Sequence, residues 1–362
     1  MGRAIRYGLV GTGMMGVEHI QNLALTPGAQ LVAVADPTAS SIGWAKAALG
    51  SAADELRVYS DSAALARAGG VDAVIVASPN HTHRTILEPL FDAGVHILCE
   101  KPVATTIEDA RWVVERAETS PGIFWTAMEY RFMPPAATFV EQVHAGRIGA
   151  LRMVSIREHR FPFLSKVGDW NRFSANTGGT MVEKCCHFFD LMRLITQSEA
   201  VRVYCSGAMD VNHLDECYDG KRPDIIDNSY TTVDFANGVR AMLDLSMFAD
   251  GVQNQEEITA VGDRARLDVT IPEGDIVFSP RTGFMQPNAV TREHIAVDQK
   301  ALAAGHHHGA TYYQHQHFRA AILGEGAVQV SAHDGLMAVA IGAAAELSAR
   351  EKRVVEMSEF GF

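Results

Sequence analysis

Ala4-Ile5-Arg6-Tyr7-Gly8-Leu9-Val10-Gly11-Thr12-Gly13-Met14-Met15-Gly16 decides the fold: an apolar, strand-like run enters a Gly-x-Gly-x-x-Gly string, and a helical stretch follows to about Leu25. In that context each glycine has its own use. Gly11 allows the tight turn, Gly13 lets the backbone approach a pyrophosphate, and Gly16 permits close helix–strand packing. The helix opening at Met14 and Met15 offers free N–H groups and partial positive charge to phosphates. A second strand, Gln30–Ala35, ends at Asp36, about 20 residues past the last glycine. A carboxylate there accepts both hydroxyls of an adenosine ribose and repels a phosphate on that ribose, which favours NAD over NADP. The competing reading is a glycine turn that holds no ligand.

Strand and helix continue to alternate beyond Asp36. Helices are expected at Ser40–Leu49, Ser62–Ala68, Arg84–Ala93 and Ile107–Glu118, and strands at Arg57–Tyr59, Asp72–Ala77, Val95–Cys99 and Ile123–Ala127. Such alternation implies right-handed crossovers and a doubly wound parallel sheet covered on both faces. After about residue 150 strands follow one another: Arg152–His159, Val201–Val211, Tyr230–Phe235, Val239–Met247 and Glu257–Val261. Asn237-Gly238 and Gly262-Asp263 read as hairpin turns. With helices expected near Thr180–Ile195, Thr311–Leu323 and Ala332–Ala349, this half reads as an α+β domain around a large, mostly antiparallel sheet.

Composition narrows the function. The 362 residues are 47% apolar and 20% charged, as in a globular chain, with 31 basic against 43 acidic residues and a formal charge of −12. Nucleic acid would be repelled on average, and no basic block offsets this. No apolar run reaches the roughly 18–20 residues of a membrane span. The start, Met1-Gly2-Arg3, lacks a secretory signal's apolar segment, and Arg6 stands where myristoylation wants a hydroxyl. Cys99, Cys185, Cys186, Cys205 and Cys217 are odd in number and lack Cys-x-x-Cys spacing, so reduced thiols in a cytoplasmic protein are expected.

Three signals lie where chemistry is expected. Ligands of parallel sheets bind at the strands' carboxyl ends, where Ser78-Pro79-Asn80-His81-Thr82-His83 and Glu100-Lys101-Pro102 both fall. The first loop, with Ser78, Pro79, Asn80 and His83, suits a ribose or nicotinamide amide, and Glu100 belongs with the same site. Lys101 offers three donors for a hydroxyl or carbonyl, and burial with a nearby cation is expected to lower its pKa. Third, glycines open Asn176-Thr177-Gly178-Gly179-Thr180-Met181-Val182-Glu183-Lys184-Cys185-Cys186-His187-Phe188-Phe189-Asp190. On one helix Glu183 and His187 share a face with Asp190, and such a stripe handles protons. The competing reading is an amphipathic helix with a satisfied histidine.

Candidate substrate residues surround these. Arg157 and His159 alternate on a strand, Trp170 and Arg172 precede the glycines, and Trp170 suits stacking on a sugar face. The run His306-His307-His308 leads to Tyr312-Tyr313, His315 and His317, with His307 and Tyr313 taken as substrate contacts. A metal site is the sharper reading of those histidines. Adjacent imidazoles reach one ion poorly and hydride chemistry needs no metal, so none is expected, with a solvated loop as the further alternative.

Glycine loop, Asp36, Glu-Lys-Pro and the glycine-led Glu/His/Asp helix, in this order, resemble the glucose–fructose oxidoreductase/inositol dehydrogenase (Gfo/Idh/MocA) family over nearly the whole chain. The resemblance implies an N-terminal Rossmann domain (1–130) and a C-terminal domain (131–362) whose open sheet carries subunit contacts, hence a homodimer or homotetramer, with the last helices packing back on the first domain. It implies NAD-dependent oxidation of a secondary hydroxyl on a cyclic sugar or polyol. Lys101 matches the family's active-site lysine and His187 its catalytic histidine. Glu183 stands where an aspartate is usual and Cys185 where glycine is, while Tyr130-Arg131-Phe132 looks like the segment after the last Rossmann strand. His187 would take the proton, Lys101 steady the alkoxide, Glu183 orient a hydroxyl or His187, and Tyr130, Arg131 and Asp190 help hold the substrate. Two other functions remain open on the same fold: glycoside cleavage with retained NAD and no net redox change, and a non-catalytic sensor of dinucleotide or sugar.

Overall fold

The computed structural model describes residues 4–283 and 289–362; Met1–Arg3, on which part of the lipidation reading fell, lie outside them. The first half alternates β1 (Ile5–Val10), α1 (Met14–Leu25), β2 (Ala29–Ala35), α2 (Ala39–Leu49), β3 (Arg57–Tyr59), α3 (Ser62–Ala68), β4 (Ala73–Val76), α4 (His83–Asp92), β5 (His96–Glu100), α5 (Ile107–Thr119) and β6 (Phe124–Ala127). Its six strands run in the order β3-β2-β1-β4-β5-β6, every neighbouring pair parallel. Ala73-Val74-Ile75-Val76 is apolar without alternation and wholly buried, because helices cover both faces. Strand order reverses between β1 and β4, so a crevice opens at their carboxyl ends. Gly11 sits there at φ +88°, and a Cβ on it would lie 2.6 Å from the Ala77 carbonyl. This is a Rossmann sheet.

The second half holds α6 (Pro134–His144), β7 (Leu151–His159), α7 (Ser174–Thr177), α8 (Thr180–Glu183), α9 (Cys186–Thr196), β8 (Ala200–Ala208), β9 (Asn228–Phe235), β10 (Arg240–Ser246), β11 (Glu256–Gly262), β12 (Ala265–Ile271), β13 (Asp275–Pro280), β14 (Thr291–His294), α10 (Gln299–Ala303), α11 (Ala310–Ile322), α12 (Ala332–Glu351) and β15 (Val355–Glu356). Nine strands pair in the order β14-β13-β12-β11-β7-β10-β9-β8-β15, antiparallel except for β7 beside β10. Both hairpin turns stand where the dipeptides place them. Strands β13 to β15 and helix α6, with Pro134 and Pro135 in its first turn, are additions to the sequence reading.

One face of this sheet is a core surface and the other is open. Along β7, Val154 and Ile156 point into a core with Phe188 and Phe189 of α9, while Met153, Arg157 and His159 take the opposite phase. Helix α12 joins the halves: Leu336 and Val339 pack with the first core, Ile341, Ala344 and Ala345 with the second. Just before it, Thr126 of β6 donates from its amide to the Val330 carbonyl and from its hydroxyl to that of Ser331. Among the described residues no helix is long and apolar enough to cross a membrane. Cys217 is exposed and the other four thiols are buried.

The expected continuous helix over Thr180–Ile195 is a correction. It breaks into α8 and α9 at Lys184-Cys185, where the Cys185 amide reaches back five residues to the Thr180 carbonyl. Gly178 and Gly179 enter it at φ +81° and +91°. A Cβ on Gly179 would lie 2.2 Å from Glu346 Oε1, the atom that accepts from the Met181 amide and closes the start of α8.

Candidate active site

The carboxyl ends of β1, β4, β5 and β6 converge with the α8–α9 junction and the loop before α11. Gly13 begins α1 without a side-chain cap, and a Cβ on it would meet no protein atom within 4 Å. Protein packing therefore does not require a glycine here; the open space beside a free helix N-terminus does, and it suits a pyrophosphate. Asp36 lies against this loop, its Oδ2 accepting from the Thr12 amide (2.8 Å) and hydroxyl (3.1 Å), its Oδ1 from the Thr38 amide (2.8 Å). Asn80, buried at the end of β4, keeps an unpartnered Nδ2. Together these residues fit a dinucleotide.

Lys101 leaves β5 and donates from Nζ to the Glu183 carbonyl at 3.1 Å, one turn before His187. The two halves thus bring ammonium and imidazole together. Burial alone would lower the Lys101 pKa, but Cys186, Glu129, Glu100 and Glu183 around it hold it above the usual value. This corrects the expected lowering: Cys186 and the neighbouring carboxylates outweigh burial.

His187 is buried. Its ring stacks on Tyr130 with centroids 4.1 Å apart and 6° between planes, its Nε2 lies 3.5 Å from Glu129 Oε1, and its Nδ1 has no partner. Burial, then the charges of Lys101, Lys184, His307 and Arg160, hold its pKa well below the usual histidine range, so the ring is neutral. Glu183 is buried too, 3.8 Å from Lys166 Nζ through Oε1, with Oε2 unpartnered, and burial pushes its pKa up. Trp170 stands at the edge, half-buried, its ring 6.0 Å from that of His81 and 4.8 Å from Lys166 Nζ.

His307 also reaches the site, its ring 6.2 Å from Tyr130, its Nδ1 2.7 Å from Glu18 Oε1. Burial would lower its pKa, yet Glu18 and Glu129 hold it above the ordinary value. Burial opposes the charge on Glu18, but His307 and Thr311 bring its pKa down to about 2. Among the described residues no cluster of His, Cys, Asp or Glu is arranged to hold a metal ion.

Several expected contacts have other roles. Glu100 is tied to His19 (2.9 Å) and accepts from the Lys101 amide, so it braces the strand end. His83 is fully buried with its nitrogens against the Pro102 and Ser78 carbonyls, joining two loops. Asp190 and Arg131 take each other: Arg131 Nε donates to Asp190 Oδ2 at 2.6 Å and Nη2 to Oδ1, and Nη1 donates to the Gln329 carbonyl. Arg172 is pinned to Glu216 at 2.8 Å. Arg157 and His159 lie on the open sheet face with Glu257 and Asp244, because side chains alternate along β7. Tyr313 packs beside the core under β1.

Sequence reasoning missed Glu129, Glu18, Glu158 and Lys184. Lys184 Nζ donates to the Tyr130 hydroxyl (2.6 Å) and lies 2.9 Å from Glu158 Oε1, supporting the ring on which His187 stacks. Glu129 is the first polar residue after an apolar strand, the same signal that singles out Lys101. Glu158 shares the apolar phase of Val154 and Ile156, an acid on a core face.

Comparison with known proteins agrees with this geometry. Residues 5–128 match the NAD-binding Rossmann fold and residues 140–357 the C-terminal α/β domain of the Gfo/Idh/MocA oxidoreductase family. The rhizopine catabolism protein MocA of Rhizobium meliloti is 32% identical over 194 residues, 54% of this chain and 58% of that protein. The myo-inositol 2-dehydrogenase of Thermotoga maritima is 27% identical over 98% of this chain and 99% of its own. A levoglucosan dehydrogenase solved with NADH and levoglucosan superposes with a TM-score of 0.84 at 20% identity, covering 98% of this chain and 100% of its own.

Proposed function

Because the chain belongs to the Gfo/Idh/MocA oxidoreductase family, we propose that it is an NAD-dependent dehydrogenase that oxidises a secondary hydroxyl of a cyclic polyol or sugar. One observation carries this reading: at the end of the glycine-loop sheet the Lys101 ammonium, tied to the Glu183 carbonyl at 3.1 Å, meets the buried His187 imidazole of the other half one turn on. When bound, NAD supplies the acceptor for the hydride that leaves the carbinol carbon. The amides of Met14, Met15 and Gly16 would hold its pyrophosphate, Asp36 its adenosine ribose, and Ser78, Pro79 and Asn80 its nicotinamide half.

His187 takes the hydroxyl proton as the carbinol becomes a carbonyl, and Lys101 stabilises the negative charge developing on oxygen. The unpartnered oxygen of Glu183 accepts from a neighbouring hydroxyl and turns the ring, while Trp170 covers a sugar face. His307 and Tyr130 bound the far side. Whole-length similarity to a myo-inositol dehydrogenase supports the cyclic polyol. The open sheet face, with Met153 and Tyr230 more than half exposed, pairs with a second copy.

Incubation with NAD and a panel of polyols, aldoses, uronates and glycosides tests this, read at the NADH band. Steady NADH formation with a cyclic substrate is expected; glycoside turnover without NADH would reject the reading. Replacing His187 by Asn should lower kcat by about a thousandfold with NAD affinity little changed. Unaltered turnover would remove His187 from the chemistry.

A further inference from the structure

Positive charge is in excess around Glu183. Lys166, Lys101, Arg160 and Arg172 all bear on its carboxylate. Arg172 is taken by Glu216, and Lys101 uses a donor on the Glu183 carbonyl. Lys166 Nζ stops 3.8 Å from Glu183 Oε1, beyond hydrogen-bond reach. The other acids nearby are engaged: Glu18 with His307, Glu100 with His19 and Glu158 with Lys184, each within 3 Å. Burial holds Glu129 and Glu256 up at about 7 and about 8, so neither is a full countercharge at neutral pH.

Arg160 is the clearest case. It follows Glu158 by two along an extended backbone, its amide donating to the Ser246 carbonyl and its carbonyl accepting from the Ala249 amide. Its side chain therefore takes the inward phase of Glu158. There its charge bears on Glu183, His187, Lys166 and Lys184. The guanidinium lies over the Phe161 ring at 4.4 Å, and Glu158 comes no nearer than 3.8 Å. Among the described residues its one hydrogen bond runs from Nε to the Phe161 carbonyl (3.2 Å), which leaves the two Nη groups free. Neither cation is sealed off: the side chains of Arg160 and Lys166 are 14% and 30% exposed.

We propose that Arg160 and Lys166 form an anion subsite, and that the substrate is a cyclic sugar acid whose carboxylate they hold while a ring hydroxyl meets Lys101 and His187. The inference rests on the dehydrogenase reading above and names its substrate class. A guanidinium with both Nη groups free takes a carboxylate through two parallel hydrogen bonds, and the Lys166 ammonium adds a point charge. Stacking on Phe161 fixes the plane of that fork, and Lys166 lies 4.8 Å from the Trp170 ring at the same edge of the site. Burial, then the charges of Lys101 and Arg160, hold Lys166 below the usual lysine value against the pull of Glu183. A carboxylate between the cations relieves that repulsion; a neutral sugar leaves it in place.

The test pairs acids with their neutral counterparts in the presence of NAD: glucuronate with glucose, galacturonate with galactose and mannuronate with mannose, with glucose 6-phosphate beside them. Wild type should favour one acid over its counterpart by about thirtyfold or more in kcat/KM, and added salt should raise KM for the acid alone. Arg160→Gln should cut that preference about thirtyfold and Arg160→Lys only in part, because a lysine keeps the charge but not the fork. Lys166→Gln, at a more exposed position, should cut it about fivefold. Binding is read separately, by calorimetry of each acid with the NADH-loaded protein. Binding of no acid, equal kcat/KM for acid and neutral partners, or a preference that neither Gln variant changes would overturn the proposal and leave the dehydrogenase reading intact. A preference for the phosphate over every acid would overturn it too. Binding of an acid that depends on Arg160, in a protein that forms NADH from no sugar, would reject the dehydrogenase reading and keep the subsite.

Discussion

Two charge clusters share one face of α9, and they are built on opposite rules. In one, Arg131, Asp190, Arg193, Asp334 and Glu199 saturate each other. Both Asp190 oxygens accept from Arg131, Arg193 bridges Glu199 and Asp334, and Asp334 also caps α12 through Ser331. In the other, around Lys101 and His187, the Glu129 oxygens, Glu183 Oε2 and His187 Nδ1 all lack partners. Charge alone does not distinguish the clusters, since both are acidic and basic and both have buried members, although Glu199 at the rim of the first is exposed. Saturation does: a network with every lone pair used holds structure together, whereas unused donors and acceptors await a ligand.

The largest test of this contrast is Asp190→Asn. Arg131 would stay charged in a site where its side chain is 9% exposed, and stripping one partner from a buried pair costs about 3 kcal/mol. The urea midpoint should fall accordingly at an unchanged slope, while turnover per folded molecule stays within about threefold. A large loss of turnover without loss of stability would move Asp190 into the reacting cluster.

The open cluster should respond in the other direction. Glu129 has its pKa raised from 4.5 to about 7, so its contribution to stability is fully present below 4.5 and is lost as pH rises through about 7. Glu129→Gln cannot ionise, and above neutral pH it should be more stable than wild type by about 2 kcal/mol, with no difference near pH 4. Asp334 behaves oppositely: Arg131, Ser331 and Arg193 overcome burial and lower it from 3.8 to about 2, so its contribution is present above 3.8 and lost as pH falls through about 2. Thermal unfolding of wild type and Glu129→Gln across pH measures both limbs. Equal melting temperatures above neutral pH would show that Glu129 is satisfied in solution.

What the sequence made legible follows the reach of each interaction. The glycine loop, Asp36, Lys101 and His187 are set by strand ends and helix starts, which are local, and periodicity and turn chemistry find them. Arg172 has its partner, Glu216, 44 positions on, and Asp190 finds Arg131 59 positions back, so nothing near either residue reveals its pairing. Glu183 and His187 come together although the helix expected to align them is broken, because Lys101 ties to the junction from the other half. Glu129 falls under the strand-end rule, as the first polar residue after β6, next to Tyr130 and Arg131. Glu158 is flanked by Arg157 and His159 in the opposite phase, so polarity alone does not separate the inward acid from its outward neighbours.

That phase gives the smallest and sharpest test. Arg157 faces Glu257 across the strand pair, and both side chains are 37% exposed. An ion pair this wet is worth less than about 1 kcal/mol, since water and salt screen it and ordering two long side chains offsets the attraction. Glu158, one residue away, has a fully buried side chain and lies within 3 Å of Lys184. The pleat puts them on opposite sides of the same backbone, so Arg157→Ala should leave KM within about twofold and shift the melting temperature by no more than ~2 °C. A tenfold rise in KM would mean that the open face reaches a substrate, which a single copy of this fold does not allow. The residue would then have to act in the site of a paired copy, and the division between a reacting inner face and a structural outer one would fail at β7.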